Sequence, residues 1–129
     1  MFLPNPQFTA FSGLDNSICI YDSKSEDWIK KFTGHKNEQL PISINYVLKD
    51  NKSYLLSGSE NPEICLWDMD DETKLIKKKV GEKNEENAQK NIGDSALRFD
   101  YSPKTAKIVL GGPNQKNEIY IYDIEKFFK

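Results

Sequence analysis

The sequence predicts an all-β fold of about three four-stranded antiparallel units that form part of a β-propeller. The first observation is a pentapeptide written three times, as ICIYD at 18–22, ICLWD at 64–68 and IYIYD at 119–123. Repeats spaced about 40–50 residues apart are typical of stacked or ring-shaped folds. The second observation is that short runs rich in Ile, Val, Tyr and Phe alternate with Gly, Asn, Asp, Ser and Pro, which indicates strands joined by turns.

The strands follow in chain order. The first unit, residues 1–33, begins at the end of a first strand and continues with QFTAFSG, ICIYD and DWIKKF. The second unit, residues 34–80, has strands in LPISINYVL, SYLLSGS, ICLWD and KLIKKKV. The third unit, residues 94–129, has strands in SALRFDYS, AKIVLGG and EIYIYDI and stops before a fourth. Antiparallel units of this kind pack face to face as propeller blades, and about four to eight of them close a ring.

The polar segment 81–93 separates the second and third units. It is rich in Glu, Lys and Asn and lacks hydrophobic periodicity, so we predict a surface loop. About three blades fall short of a ring, so we expect strand edges and two apolar blade faces to be exposed. The chain is therefore expected to self-associate through these open blades, or to be a fragment that needs its missing blades.

Composition narrows the class of protein. The 129 residues carry a formal net charge of −2, which argues against direct binding to nucleic acid or to an anionic membrane. No apolar run has transmembrane length, and the N-terminus lacks the basic and apolar regions of a signal peptide. Cys19 and Cys65 occupy the same place in two copies of the pentapeptide, so we expect buried free thiols in a reducing compartment. We expect a soluble intracellular protein.

No catalytic, metal or cofactor site is predicted. The chain has one histidine and no CxxC motif or Cys/His cluster. Asp22, Asp68 and Asp123 each end a copy of the pentapeptide, and recurrence in every unit indicates a structural role. The paired glycines in VLGGPN are not followed by a helix that could hold phosphate. We therefore expect a protein without enzymatic activity.

The segment 32–68 resembles a WD repeat. Gly34-His35 opens it, SGS ends its second strand, and Trp67-Asp68 closes its third. In that family a histidine, a strand serine or threonine, a turn aspartate and the tryptophan indole form a hydrogen-bonded relay within a blade. The resemblance assigns these structural roles to His35, Ser57 and Trp67. Asp15 holds the turn position of the first unit, whereas Asn61 stands in the turn of the second.

A longer stretch is similar to a narrower group. LDNSICIYDSKSEDWIKKFTGHKNE and the later SGSE resemble the C-terminal blades of the WD-repeat subunit shared by COMPASS/MLL-type histone H3 methyltransferase complexes. The resemblance implies a non-catalytic scaffold of a multiprotein complex. It also implies a nuclear location; without it, a cytoplasmic location would be expected.

The resemblance also implies a cleft between two blades that holds an acidic-hydrophobic peptide of a partner subunit. An aromatic floor with aliphatic walls suits a short extended peptide. Matched position by position, the cleft residues are Asn5, Phe8, Ile20, Tyr46, Leu48 and Asp70.

A second binding face of that family clamps an arginine side chain between two phenylalanines. Ser43 stands where one phenylalanine is expected, and Pro41 replaces a small residue. This substitution argues against binding of a histone-tail arginine. Two alternatives for function stay open: a general WD-repeat adaptor in another complex, such as a substrate receptor or trafficking coat, and a truncated propeller active only with its missing blades.

Overall fold

In the part of the chain that the computed structural model describes, ten short strands form three antiparallel sheets. The structure describes residues 1–61, 63–79, 98–111 and 119–128. The predicted surface loop at 81–93 lies outside the described residues. The all-β prediction is confirmed, and each sheet has the strand pairing of a propeller blade.

The strands lie in chain order within each blade. The first blade contains β1 (Phe8–Gly13), β2 (Ser17–Asp22) and β3 (Asp27–Thr33). The second contains β4 (Ile44–Lys49), β5 (Lys52–Ser57), β6 (Glu63–Asp68) and β7 (Asp71–Lys79). The third contains β8 (Arg98–Ser102), β9 (Lys107–Gly111) and β10 (Ile119–Asp123), followed by a 3-10 turn at Ile124–Phe128.

Residues 1–3 pair with the edge of β1 through a single antiparallel β-bridge. The Ala10 N–H donates to the Met1 carbonyl (2.8 Å), and the Leu3 N–H donates to the Phe8 carbonyl (3.1 Å). Phe2 forms the bridge between these bonds with Thr9. This is the antiparallel pairing expected for the end of a first strand.

The three pentapeptides form the corresponding strands β2, β6 and β10. Their alternation sends successive side chains to opposite faces of each blade, because side chains in a strand alternate with a period of two. In β2, Ile18 and Ile20 are buried against the second blade. In β6, Cys65 and Trp67 are buried against the first blade, whereas Ile64 and Leu66 are buried against the third.

The aspartate that ends each pentapeptide caps the turn that follows. The carboxylates of Asp22, Asp68 and Asp123 accept the backbone N–H of the residue two positions later, at 2.9, 2.9 and 3.0 Å. Asx turns of this type are a common reason for aspartate at the end of a strand. The recurrence of aspartate is therefore structural, as the sequence indicates.

The core lies in the two junctions between blades. The junction between the first and second blades buries Leu3, Ala10, Ile18, Ile20, Phe32, Leu55, Cys65 and Trp67. The junction between the second and third buries Val47, Leu56, Ile64, Leu66, Phe99, Ile108, Ile124 and Phe127. Neither core therefore belongs to a single blade: each is formed by apolar side chains from two neighbouring sheets.

The segment between the first and second blades, residues 34–40, is hydrogen-bonded to the β1–β2 turn. The Asn37 N–H donates to the side-chain oxygen of Asn16 (2.8 Å), and the Asn16 N–H donates to the Asn37 carbonyl (3.1 Å). The Asn37 amide group also donates to the Gly13 carbonyl (3.0 Å). Asn16 of the LDN segment and Asn37 of the TGHKNE segment are therefore hydrogen-bonded to each other.

The same segment is bound to the β5–β6 turn of the second blade. The Lys36 N–H donates to the Ser59 hydroxyl oxygen (3.0 Å), and the Glu60 N–H donates to the Lys36 carbonyl (2.8 Å). The Glu60 carboxylate accepts the backbone N–H of Gln39 (2.8 Å) and that of Glu38, and these bonds lower the pKa of Glu60. The two blades are thereby joined at one end of their strands.

Three larger differences from the sequence prediction stand out. Strand β4 begins at Ile44, four residues after the start of the predicted LPISINYVL. Strand β7 begins at Asp71, three residues before the predicted KLIKKKV. After β10, the chain does not simply stop: the 3-10 turn buries Ile124 and Phe127 against the second blade. Lys49 of β4 fixes this turn through its ammonium, which lies 2.6 Å from the Glu125 carboxylate.

Candidate peptide-binding cleft

A cavity of about 400 Å³ lies between the first and second blades, at the opposite strand ends from the 34–40 segment. Its walls come from the N-terminal residues, β2, β3, β4, β5 and the β6–β7 turn. We call it the cleft. It is lined by Leu3, Pro4, Asn5, Phe8, Ile20, Ile29, Lys30, Tyr46, Ser53, Met69 and Asp70.

Five of the six residues assigned to a partner site line this one cleft: Asn5, Phe8, Ile20, Tyr46 and Asp70. They come from four separate segments of the chain, so their meeting depends on how the two blades pack. Leu48 is the exception. It lies on the same face of β4 as Tyr46, two residues on, but is 60% exposed and outside the lining.

A tight turn at residues 4–7 holds Asn5 and Phe8 in the cleft wall. The Asn5 side chain accepts the Gln7 N–H (3.1 Å), and the Asn5 carbonyl accepts the Phe8 N–H (3.0 Å). The Gln7 side-chain amide donates to the Asp22 carboxylate (2.7 Å) and is the largest cause of the lowered pKa of Asp22. The recurring aspartate of β2 therefore also positions the cleft.

The opposite wall is positioned by β4 and β5. Tyr46 lies opposite Leu55 in this pair, and its hydroxyl is 2.7 Å from the Ser53 hydroxyl. This bond occupies the polar end of the tyrosine, so the ring presents its apolar face to the cavity.

Sequence matching missed Ile29 and Lys30, both of which line the cleft. Strand register shows why: Ile20 pairs with Lys30 and Tyr21 with Trp28, which leaves Ile29 as the extra residue of a β-bulge. A bulge breaks the alternation of side chains, so neighbours can face the same side. The sequence DWIKK does not alternate strictly between apolar and polar residues, and this was the one sequence feature that could have indicated the bulge.

Lys30 and Asp70 are the charged side chains of the lining. The Lys30 ammonium donates to the Met69 carbonyl and so crosses from the first blade to the second. Asp70 is exposed at the β6–β7 turn. The remaining lining is mostly apolar, which leaves one cation and one anion to orient a bound chain.

Ser43, at the position expected for an arginine-clamping phenylalanine, has a structural role. Its hydroxyl oxygen accepts the Phe99 backbone N–H (3.1 Å) and so links the second and third blades. A serine side chain has no aromatic ring, so position 43 offers no face on which a guanidinium group could stack.

The hydrogen-bonded relay predicted for His35, Ser57, Trp67 and Asp15 is not formed. The Trp67 indole N–H donates to the Thr33 carbonyl (3.0 Å), and the Ser57 hydroxyl donates to the Gly58 carbonyl (3.0 Å). The Asp15 carboxylate accepts the Ser17 hydroxyl instead (2.6 Å). Among the described residues, no hydrogen-bond partner is found for either ring nitrogen of buried His35.

The physical reason is the residue at the turn of the second blade. Asn61 stands where the relay needs a carboxylate, and it lies exposed with its backbone N–H donated to the Ser59 hydroxyl oxygen (3.2 Å). His35 instead packs edge-to-face on Trp67, with ring centroids 5.4 Å apart. The four residues serve packing and local turns.

Acidification is expected to lower the free energy of unfolding through His35. Burial lowers the pKa of this imidazole, the nearby Asp15 charge opposes that effect, and Lys77 adds to it. The folded-state pKa therefore lies below the unfolded value of about 6.5. Stability is fully present above that value and is lost as the pH falls towards the folded-state pKa. Urea denaturation at several pH values between about 5 and 7.5 measures the loss.

The matched variant is His35→Leu, which removes the single histidine of the chain. It should flatten the pH dependence over this range, because the carboxylates titrate at lower pH. An unchanged slope in the variant would show that His35 is not the source.

Other kinds of site find no support in the described part of the chain. Those residues contain no group of three or more His, Cys, Asp or Glu side chains that could hold a metal ion. They also contain no helix long and apolar enough to cross a membrane.

Comparison with known proteins finds similarity to WD-repeat proteins. The chain is 27% identical over 73 residues to an uncharacterized WD repeat-containing protein of Schizosaccharomyces pombe, covering 57% of this chain and 24% of that protein. It is 26% identical over 68 residues to WD repeat domain-containing protein 83 of Mus musculus, covering 53% of this chain and 21% of that protein. No family model matches the chain.

The alignments thus span about a quarter of the length of these relatives or less. Both relatives are named for WD repeats, which agrees with the resemblance of 32–68 to a WD repeat and with three antiparallel sheets built on a recurring strand. The chain is therefore similar to WD-repeat proteins in sequence and in the architecture of its sheets.

Proposed function

We propose that this protein is a non-catalytic protein-interaction scaffold that holds an acidic-hydrophobic peptide of a partner in the cleft. The observation that carries the proposal is that five residues selected from sequence resemblance line one cavity. The WD-repeat relatives favour an interaction role in general.

The chemistry of the cleft suits an extended peptide. Phe8, Ile20 and Tyr46 provide an apolar floor for aliphatic side chains of the peptide, while Lys30 can pair with an acidic one. Asn5 lies on the wall, where an amide can bond peptide backbone. A salt bridge from the Lys30 ammonium to a peptide carboxylate, in place of its bond to the neutral Met69 carbonyl, would favour acidic peptides over neutral ones.

We further propose that the partner is a subunit of a COMPASS/MLL-type histone H3 methyltransferase complex, in the nucleus. The supporting features are the LDN and TGHKNE segments, whose asparagines bind each other at the first junction. Histone-tail arginine is not included in this proposal, because Ser43 stands where the resemblance expects an arginine-clamping phenylalanine.

Peptide binding is tested with a labelled peptide that alternates glutamate or aspartate with isoleucine or valine. Phe8→Ala and Tyr46→Ala should each weaken binding in fluorescence anisotropy by at least about tenfold, since buried aromatic contacts dominate such interfaces. The control is Phe11→Ala, on the same strand but on the opposite face of the blade. Circular dichroism verifies that each variant remains folded.

A matched pair of lysine variants tests the expected preference of the cleft for acidic peptides. Lys30→Gln should weaken binding of the acidic peptide and reduce its dependence on salt, whereas Lys31→Gln, outside the lining, should change neither. No binding by the unsubstituted chain, or equal affinity of the Phe8 and Phe11 variants, would exclude the cleft as the site.

A general WD-repeat adaptor of another complex is the second candidate, and the Ser43–Phe99 bond favours it because a methyltransferase-type arginine clamp is absent at Ser43. Affinity purification with the Tyr46→Ala variant as control separates the two. Recovery of methyltransferase subunits by the unsubstituted chain but not by the Tyr46→Ala variant would support the first candidate. Recovery of subunits of other complexes would support the second.

A further inference from the structure

The two junctions between blades can be compared position by position, because the strands of each blade pair in the same register. Phe8 of the first blade pairs with Asp22, and Tyr54 of the second blade pairs with Asp68, so these two aromatic rings occupy equivalent positions. Phe8 lines the cleft, whereas Tyr54 packs against the core of the second junction. The second junction therefore has an aromatic wall at the place that Phe8 occupies in the first.

The opposite walls of the two junctions also correspond. Tyr46 and Tyr101 lie on the first strands of the second and third blades, and each is joined through the middle strand to the residue before the capping aspartate. Met69 and Ile124 directly follow that aspartate. Tyr46 and Met69 line the cleft, while Tyr101 and Ile124 pack in the second core. The place beside Tyr54 in the second junction is thus the counterpart of the cleft.

The chain itself supplies aromatic side chains to this counterpart. The 3-10 turn Ile124–Phe128 buries Phe127 in the second core, and the Phe128 ring packs edge-to-face on Tyr54, with ring centroids 5.0 Å apart. After the capping aspartate of the second blade, by contrast, strand β7 begins within three residues, at Asp71. The corresponding place in the first junction is the open cavity of the cleft.

A lysine accompanies the aromatic side chains in both places. The Lys49 ammonium lies 2.6 Å from the Glu125 carboxylate and 5.1 Å from the centroid of the Phe128 ring, so one cation contacts both an acidic and an aromatic residue of the turn. In the cleft, Lys30 is the cation of the lining and Phe8 is the ring. The cleft therefore offers the two kinds of contact that hold the turn in the second junction.

We infer that the cleft takes a phenylalanine side chain of the bound peptide, packed edge-to-face on Phe8 and close to an acidic residue that pairs with Lys30. The phenylalanine site rests on the proposed function of the cleft and makes its ligand an acidic-aromatic peptide. An aromatic pair of this geometry contributes more to binding than its buried area alone, and an aliphatic side chain cannot supply that contribution. The contact of Phe128 with Tyr54 is the pattern for it within the same chain.

Two labelled peptides that differ at one position test the phenylalanine site. Both alternate glutamate with isoleucine, and one has phenylalanine in place of the central isoleucine. In fluorescence anisotropy the phenylalanine peptide should bind the unsubstituted chain about two- to tenfold more tightly than the isoleucine peptide. Phe8→Leu keeps an apolar wall but removes the ring, so it should abolish the preference. Phe8→Tyr should retain it, because Tyr54 holds Phe128 in the same way.

The matched control is Tyr54→Leu, which removes the equivalent ring from the second junction and should leave the preference unchanged. A preference that is lost in Tyr54→Leu but survives Phe8→Leu would mean that the peptide displaces the 3-10 turn from the second junction. That result would overturn the phenylalanine site in the cleft. Circular dichroism verifies that each variant is folded.

The remaining outcomes separate the phenylalanine site from the proposed function. Equal affinity of the two peptides for the unsubstituted chain, with both weakened by Tyr46→Ala, would overturn the phenylalanine site and leave the cleft as a binding site for acidic-aliphatic peptides. No binding of either peptide would overturn both.

Discussion

Replacement of Trp67 by alanine is expected to lower the free energy of unfolding by about 3–5 kcal/mol. This is comparable to the whole stability of many small domains, about 5–15 kcal/mol. The side chain is fully buried between the first two blades, where it packs against Phe32 and His35. The variant also leaves the Thr33 carbonyl without the indole N–H that it accepts at 3.0 Å. We expect loss of the first junction and of the cleft beside it.

Urea denaturation followed by circular dichroism measures this change, at a protein concentration that keeps the chain monomeric. The matched variant is Trp28→Ala, which removes the other tryptophan of the chain. Trp28 is more than half exposed, and its ring packs edge-to-face on Phe11 and Tyr21, so its loss should be about 1–2 kcal/mol at most. Equal losses in the two variants would contradict the assignment of Trp67 to the core.

Trp67 is buried and Trp28 is exposed, and this difference shows what the sequence can predict. Trp67 lies in an alternating pentapeptide that recurs three times, and recurrence identifies both the strand and the side of the blade that it faces. Trp28 lies in a strand whose alternation is broken by the bulge at Ile29. Local pattern therefore predicts framework residues well, and predicts residues beside an irregularity poorly.

The candidate cleft illustrates the same limit. Asn5, Phe8, Ile20, Tyr46 and Asp70 could be selected by matching positions, because each lies near a recognisable strand or turn. Lys30 and Met69 could not, since their contact joins residues of different blades and depends on blade packing. Leu48 was selected by the same matching of positions, but it lies outside the lining of the cavity and is largely exposed.

The predicted relay fails for a reason that the sequence already contained. Asn61 in place of aspartate removes the acceptor that His35 would need, and Asp15 is bonded to Ser17. What replaces the relay is a set of backbone and side-chain bonds from residues 34–40 to two turns. Sequence alone could not predict this set, because its members are more than twenty residues apart in the chain.

Gly34 begins that segment, and Gly34→Ala is expected to lower the free energy of unfolding by about 1–3 kcal/mol. Its φ of 125° lies in a region that L-residues rarely adopt, and a β-carbon there would overlap the end of the Leu75 side chain. Relief of this strain would move the 34–40 segment away from the turns that it joins. The matched control is Gly13→Ala, whose β-carbon would also meet a side-chain end, at Asp15, but at an ordinary φ. Urea denaturation should show the larger loss for Gly34→Ala, because only that variant carries backbone strain; equal losses would mean that crowding, and not φ, determines the choice of glycine at position 34.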